Sequence, residues 1–137
     1  MDTLTLAERT ERMSRVKGKG SAVELRVRSL THGMGYRFRL HGLKLPGKPD
    51  LVFASRRKVV FVHGCFWHRH PDPNCRLARL PKSRQDFWVP KLEGNRTRDL
   101  RTEAALATLG WRVLTIWECQ LRDEPFIRNE IRTFLQP

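Results

Sequence analysis

Pro49-Asp50-Leu51-Val52-Phe53-Ala54-Ser55-Arg56-Arg57-Lys58-Val59-Val60-Phe61-Val62 is the stretch that decides the fold of this chain. Two apolar runs, Leu51 to Phe53 and Val59 to Val62, flank the polar turn Ser55 to Lys58, which is the pattern of a hairpin of well-buried strands. Upstream, Tyr36, Phe38 and Leu40 alternate with Arg37 and Arg39, so a half-buried strand is expected there. Before it, Ser21-Ala22-Val23-Glu24 has the form of a capping box, and Val23, Val27 and Leu30 follow at helical spacing. A helix is predicted from about 22 to 32, stopping near Gly33. Downstream, residues 63 to 81 are dense in His, Cys, Pro and Trp and read as irregular. From Ser83 the pattern turns helical, is interrupted by Pro90 and Gly94, and resumes from Asn95 to Leu109 with Gly110 as the stop. Trp111 to Trp117 reads as another buried strand, and Pro125 suits the first turn of a last helix carrying Ile127, Ile131 and Phe134. Helix, three strands, helix, strand, helix is an α/β order. It predicts a mixed central sheet sandwiched between helices.

A chain of 137 residues is long enough for one domain and too short for two of ordinary size. The expected division is an arm over residues 1–20 and a single domain over 21–137. Lys and Arg number 27 against 14 Asp and Glu, a net charge of +13. The excess sits in residues 1–101, where 23 basic side chains face 9 acidic ones, while the remaining 36 residues are close to neutral. Arg outnumbers Lys, and Arg pairs bidentately with phosphate, so a polyanion is the expected partner. Arg9, Arg12, Arg15 and Lys17 in the arm are the expected phosphate contacts. No run of about 18 apolar residues occurs, and Met1 to Thr10 has no apolar signal region. Three cysteines without an export signal fit a reducing compartment, so the expected location is cytoplasmic, close to the nucleoid.

Three groups of residues carry chemistry. Cys65, His70 and Cys75 are spaced C-x4-H-x4-C, and Cys119 arrives after the last expected strand. Three thiolates and an imidazole are a donor set that tetrahedral Zn²⁺ favours, with His63 and His68 as competing imidazoles. Buried structural thiols beside an unrelated histidine are the plainer alternative. Asp50 stands at the mouth of a strand, with the partner strand ending at Val62, 12 residues on. Metal-dependent nucleases of the PD-(D/E)xK type place a carboxylate in this way. The second acid and the lysine of that pattern are absent, since Val62-His63-Gly64 stands in their place. Asp50 therefore reads either as a turn carboxylate or, with Glu24, His63 and His68 nearby, as part of an acid–base and metal site. Phe66-Trp67 sits in the same loop and can either pack beneath it or insert between DNA base steps.

Taken together, Leu45-Pro46-Gly47-Lys48-Pro49-Asp50, Val60-Phe61-Val62-His63-Gly64-Cys65-Phe66-Trp67-His68, Trp111-Arg112-Val113-Leu114 and Trp117-Glu118-Cys119 resemble the very short patch repair (Vsr) DNA mismatch endonucleases. The likeness runs from Met13-Ser14 through Phe87-Trp88 to Leu121. It implies a restriction-endonuclease-like three-layer fold with a zinc-stapled loop, and a Mg²⁺-dependent strand cut beside the thymine of a T:G mismatch. It implies Asp50 as the Mg²⁺ carboxylate, His68 as general acid or base, and Glu24 and His63 as supports through waters. Cys65, His70, Cys75 and Cys119 become the zinc ligands, and Met13, Phe66 and Trp67 an intercalating wedge. Val62 stands where the family can have Thr, so it can offer a metal only its backbone carbonyl. Pro71-Asp72-Pro73-Asn74 lengthens the approach to Cys75 relative to family members with a compact His run.

The leading expectation is a strand-specific nicking endonuclease acting as a monomer on double-stranded DNA with a T:G mismatch. A zinc-stapled DNA-binding module without catalysis and a nuclease indifferent to mismatches are the alternatives. Nicking of T:G duplex, matched duplex or neither separates the three.

Overall fold

A computed structural model describes residues 22–42 and 44–136. The arm expected over residues 1–20, with Arg9, Arg12, Met13, Arg15 and Lys17, lies outside the described residues, as does Ser21 of the capping box. Helix α1 spans Ala22–Gly33. Strands β1 (Arg39–Leu40), β2 (Leu51–Phe53) and β3 (Lys58–His63) follow, then helix α2 (Gln85–Thr108), strand β4 (Arg112–Trp117) and helix α3 (Glu124–Leu135). The sheet order is β1-β2-β3-β4, with β1/β2 and β2/β3 antiparallel and β3/β4 parallel. The expected α/β order and mixed sheet are thus observed.

Alternation along the strands splits the core into two layers. Leu51, Phe53, Val60 and Ile116 meet Val27 of α1 and Ile127, Ile131 and Leu135 of α3 on one face. Val52, Val59 and Phe61 meet Leu106 of α2 on the other. Lys58, at the start of β3, is buried with its Nζ donating to the carbonyls of Phe134 (2.6 Å) and Gln136 (2.8 Å). It satisfies carbonyls that the end of α3 leaves unpaired. At the other end of that helix the Asp123 carboxylate accepts from Phe126 N–H at 3.1 Å, with Pro125 in the first turn as expected.

Two elements differ from expectation. The strand expected over 36–40 shrinks to Arg39–Leu40, because β2 has only three residues and passes directly into a 3₁₀ turn at Ala54–Arg56. Tyr36 and Phe38 pack against the core instead, with Phe38 edge-on to Phe53 at 5.9 Å. The second difference is α2, which runs unbroken for 24 residues through Pro90 and Gly94. Pro90 removes one backbone donor at a cost of about 3 kcal/mol in a helix interior. Tertiary contacts on both sides of Gly94 offset it. Leu92 is fully buried, Arg69 bonds Glu93 (3.2 Å), Asn95 donates to the Trp67 carbonyl (3.0 Å), and Arg96 donates to the Arg69 carbonyl (3.2 Å). The helix is kept continuous by the loop that it supports. Gly110 ends it in a left-handed turn (φ 87), where Trp111 N–H reaches back to Leu106 O and Gly110 N–H to Ala107 O.

Candidate active site and candidate metal centre

Because β2 runs antiparallel to β3, the residue that enters β2 lies beside the residues that end β3. Asp50 Oδ2 accordingly accepts the Val62 N–H at 2.7 Å. The carboxylate is half-buried, closer to the core than a turn carboxylate would be. Burial raises its pKa to about 6. The Val62 N–H opposes the rise, the Glu24 charge adds to it, and the His41 and His68 charges oppose it. Glu24, on the first turn of α1, is buried, with Arg28 and His41 both on its Oε1, the latter at 2.5 Å. Burial pushes the Glu24 carboxyl up, yet the bonds from Arg28 and His41 outweigh it and hold the group below its ordinary value. One donor atom each from Glu24, His41 and Asp50 lies within 4.8 Å of the others.

The loop that carries Asp50 is shaped by a close approach. Gly47 has φ 74, and a β-carbon there would stand 2.3 Å from Thr102 Cγ2 of α2, so only glycine fits.

Beyond β3 the imidazoles of His63 and His68 stack, with ring centroids 3.8 Å apart and 3° between planes. Burial and the neighbouring His68 charge press His63 down to about 3, with Asp99 opposing, so this ring is neutral at ordinary pH. Its Nδ1 is buried with no hydrogen-bond partner among the described residues. His68 Nδ1 meets Asp99 Oδ2 of α2 at 2.7 Å, which leaves Nε2 to act. Asp50, Val62, His63, His68, Asp99 and Glu24 all line one cleft of about 520 Å³. Asp99 and His41 were not among the expected site residues. They lie 31 and 17 residues from the groups they bond, and no local pattern marks such distant pairs.

The second constellation hangs from the ends of the parallel pair β3/β4, where His63 is in register with Trp117. Cys65, two residues past β3, and Cys119, two past β4, are thereby neighbours. Cys119 N–H points at Cys65 Sγ (3.4 Å), and Cys119 Sγ stands 3.6 Å from His70 Nδ1. The His70 ring stacks on Trp117 at 4.2 Å, and the His70 backbone N–H donates to Cys65 O at 2.9 Å. Asp72 turns the chain back by accepting from Asn74 N–H (2.9 Å) and Cys75 N–H (3.1 Å), which brings Cys75 in despite the longer approach. One donor atom each from Cys65, His70, Cys75 and Cys119 lies within 4.8 Å of the others, and the three cysteines form no disulfide. Of the competing imidazoles, His70 joins the thiols, while His63 and His68 join Asp99. Burial raises the thiol pKa values of Cys65 and Cys119, opposed for Cys65 by the Cys119 N–H and reinforced by its sulfur neighbours. Packed sulfurs that do not ionise unaided, with an imidazole beside them, suit a soft divalent cation that would hold them as thiolates.

Phe66 and Trp67 are half-buried and meet edge-to-face (5.2 Å). Trp88 of α2 joins both, at 5.3 and 6.0 Å, and exposed Phe87 extends the group. The Phe-Trp pair occurs twice in the chain, and the fold brings the two pairs together.

A mixed sheet that gathers a buried carboxylate and a carboxylate-backed imidazole in one cleft, on a chain this basic, has the equipment of a DNA-cleaving hydrolase. The family profile for DNA mismatch endonuclease Vsr matches residues 1–75. Among curated relatives, the type II nicking enzyme V.XorIIP of Xanthomonas oryzae pv. oryzae is 53% identical over 99% of this chain and 98% of its own length. The DNA mismatch endonuclease Vsr of Escherichia coli is 42% identical over 93% of this chain and 80% of its own length. The type II nicking enzyme V.NmeAIP of Neisseria meningitidis is 33% identical over 98% and 94% respectively. The chain belongs to the Vsr family of DNA mismatch endonucleases, and is a DNA endonuclease. Among the described residues no helix is long and apolar enough to cross a membrane.

Proposed function

We propose that this endonuclease nicks one strand of double-stranded DNA beside the thymine of a T:G mismatch, as a monomer in the cytoplasm, on a restriction-endonuclease-like framework. The observation that carries the reading is the convergence of Asp50, the His68–Asp99 pair and the Phe66–Trp67–Trp88 group on the same end of the sheet.

Asp50, with the Val62 carbonyl beside it, would hold the catalytic Mg²⁺, and Glu24 would support it through water. The hard carboxylate oxygens and the burial that makes an Asp50 carboxylate costly without a counter-charge both fit a divalent cation. Magnesium bound there supplies polarisation of the scissile phosphate and acidifies a water. His68 takes or returns the proton at Nε2, because Asp99 occupies Nδ1 and fixes the tautomer. Neutral His63 stacks on His68 and holds its plane. Asp99→Asn is expected to lower the nicking rate at saturating DNA by about 10²-fold with little change in DNA affinity. Equal loss in affinity and rate would show that Asp99 serves only the fold.

Zn²⁺ would be held by Cys65, His70, Cys75 and Cys119 and would fix the loop that presents His68, Phe66 and Trp67. A T:G wobble stacks less well than a matched pair and costs less to pry apart. Phe66 and Trp67, with Met13 from the arm, enter beside it, while Arg9, Arg12, Arg15 and Lys17 bind phosphates of either duplex.

Nicking and binding assays on T:G and matched duplexes test the reading. Trp67→Ala is expected to lower the ratio of T:G to matched binding, whereas Arg12→Ala weakens both and flattens the salt dependence. Equal nicking of the two duplexes by the wild-type protein would overturn mismatch recognition.

A further inference from the structure

We propose that His41 gives the cation site at Asp50 a nitrogen donor, so that His41 and Asp50, with Glu24 acting through water, form a mixed nitrogen–oxygen site that binds Mn²⁺ more tightly than Mg²⁺. The proposal rests on the reading of Asp50 as a cation ligand given above.

Three observations carry it. The first is distance: His41 Nε2 stands 2.5 Å from Glu24 Oε1, and one donor atom each from Glu24, His41 and Asp50 lies within 4.8 Å of the others. Neighbouring ligands of one six-coordinate ion with bonds of about 2.1 Å are separated by roughly 3 Å, so an adjustment of no more than about 2 Å brings His41 and Asp50 onto one centre. The second is the backbone. His41 holds a left-handed conformation (φ 48), rare for a residue with a β-carbon. Its N–H bonds the Asp50 carbonyl (3.3 Å), and the Gly42 N–H bonds the Pro49 carbonyl (3.0 Å). The two segments are tied together where the backbone is strained, and strain of this kind gathers at functional sites.

The third is Arg28. Its Nη2 reaches Glu24 Oε1 and stands 3.1 Å from His41 Nε2, yet its Nε is buried without a hydrogen-bond partner among the described residues. A positive group therefore already lies against these two donors, in imperfect accommodation, where a metal ion would compete for the same lone pairs. Imidazole adds little to the affinity for Mg²⁺, which prefers oxygen, but is an ordinary ligand for transition cations.

The test uses the zinc-loaded full chain with Mn²⁺ as the probe, read by electron spin echo envelope modulation and by titration. A ¹⁴N coupling to bound Mn²⁺ is expected in the wild-type protein and in His68→Gln, and is expected to vanish in His41→Gln. Mn²⁺ affinity should fall about tenfold in His41→Gln, and Mg²⁺ affinity by less than about threefold. Arg28→Ala should tighten Mn²⁺ binding by removing the competitor. Bound Mn²⁺ that shows no nitrogen coupling, but is lost in Asp50→Asn, would overturn the part given to His41 and leave Asp50 as a cation ligand. A coupling lost in His68→Gln instead would assign the nitrogen to the stacked histidines and overturn the proposal. Binding indifferent to Asp50→Asn would overturn the proposal together with the reading on which it rests.

Discussion

Asp50→Asn is expected to reduce nicking at saturating DNA by about a thousandfold or more while making the protein more stable at pH 7.5. The loss follows if Asp50 carries the cation. The gain follows from burial. In the folded chain this carboxyl exchanges its proton near pH 6, against an ordinary value of 3.8. Between those values the folded state holds more protons than the unfolded one, so stability falls as the pH rises. Above about pH 6 the folded state bears the full cost of the buried charge, on the order of 3 kcal/mol. Asparagine removes that cost, and its Oδ1 still accepts the Val62 N–H. Chemical denaturation of both proteins without added divalent cation should show a gap that is constant above pH 6, narrows as the pH falls, and closes below about 3.8. A gap of equal size at pH 3 and pH 7 would mean that the buried charge is not its cause.

Cys119→Ser should have the largest effect on folding. If the four-donor cluster holds zinc, the purified wild-type protein carries one equivalent that Mg²⁺ does not displace. Structural zinc contributes on the order of 10 kcal/mol to folding at neutral pH, about the whole stability of a domain of this size. The variant is then expected to be insoluble, or to melt far below the wild-type protein with less than one equivalent of metal. Metal analysis and thermal unfolding of the two proteins decide the matter. A stable, metal-free and active Cys119→Ser protein would remove zinc from the account.

The sequence carries the elements better than it carries the site. The hairpin at 51–62 and the helix at 22–33 are legible because each rests on local periodicity and turn chemistry. The clustering of the thiols with His70 is legible because a metal-ligand donor set draws on only a few residue types. Pro90 and Gly94 misdirect the reading of α2, since contacts that keep it continuous come from the backbone of a loop 27 and 28 residues earlier. His41 and Asp99 leave no local trace for the same reason. One sits on a left-handed turn after a two-residue strand, and the other on an ordinary helical turn. Only the packing of α1 and α2 around the sheet makes them partners of Glu24 and His68. The Phe66–Trp67 pair stands between these cases. Its chemistry is visible in the sequence, but its support by Trp88 is not.

The parallel register of β3 with β4 has a consequence for the order in which a ribosome delivers this enzyme. Asp50, His68 and three of the four side chains of the cysteine–histidine cluster leave the exit tunnel early, but Cys119 and the strand that carries it come only after the 24 residues of α2. Until then β3 has no neighbour on one edge, and the loop bearing His68 lacks its last anchor. The loop that bears His68 therefore gains its contact with Cys119 only once β4 and the residues just beyond it have been made, late in synthesis.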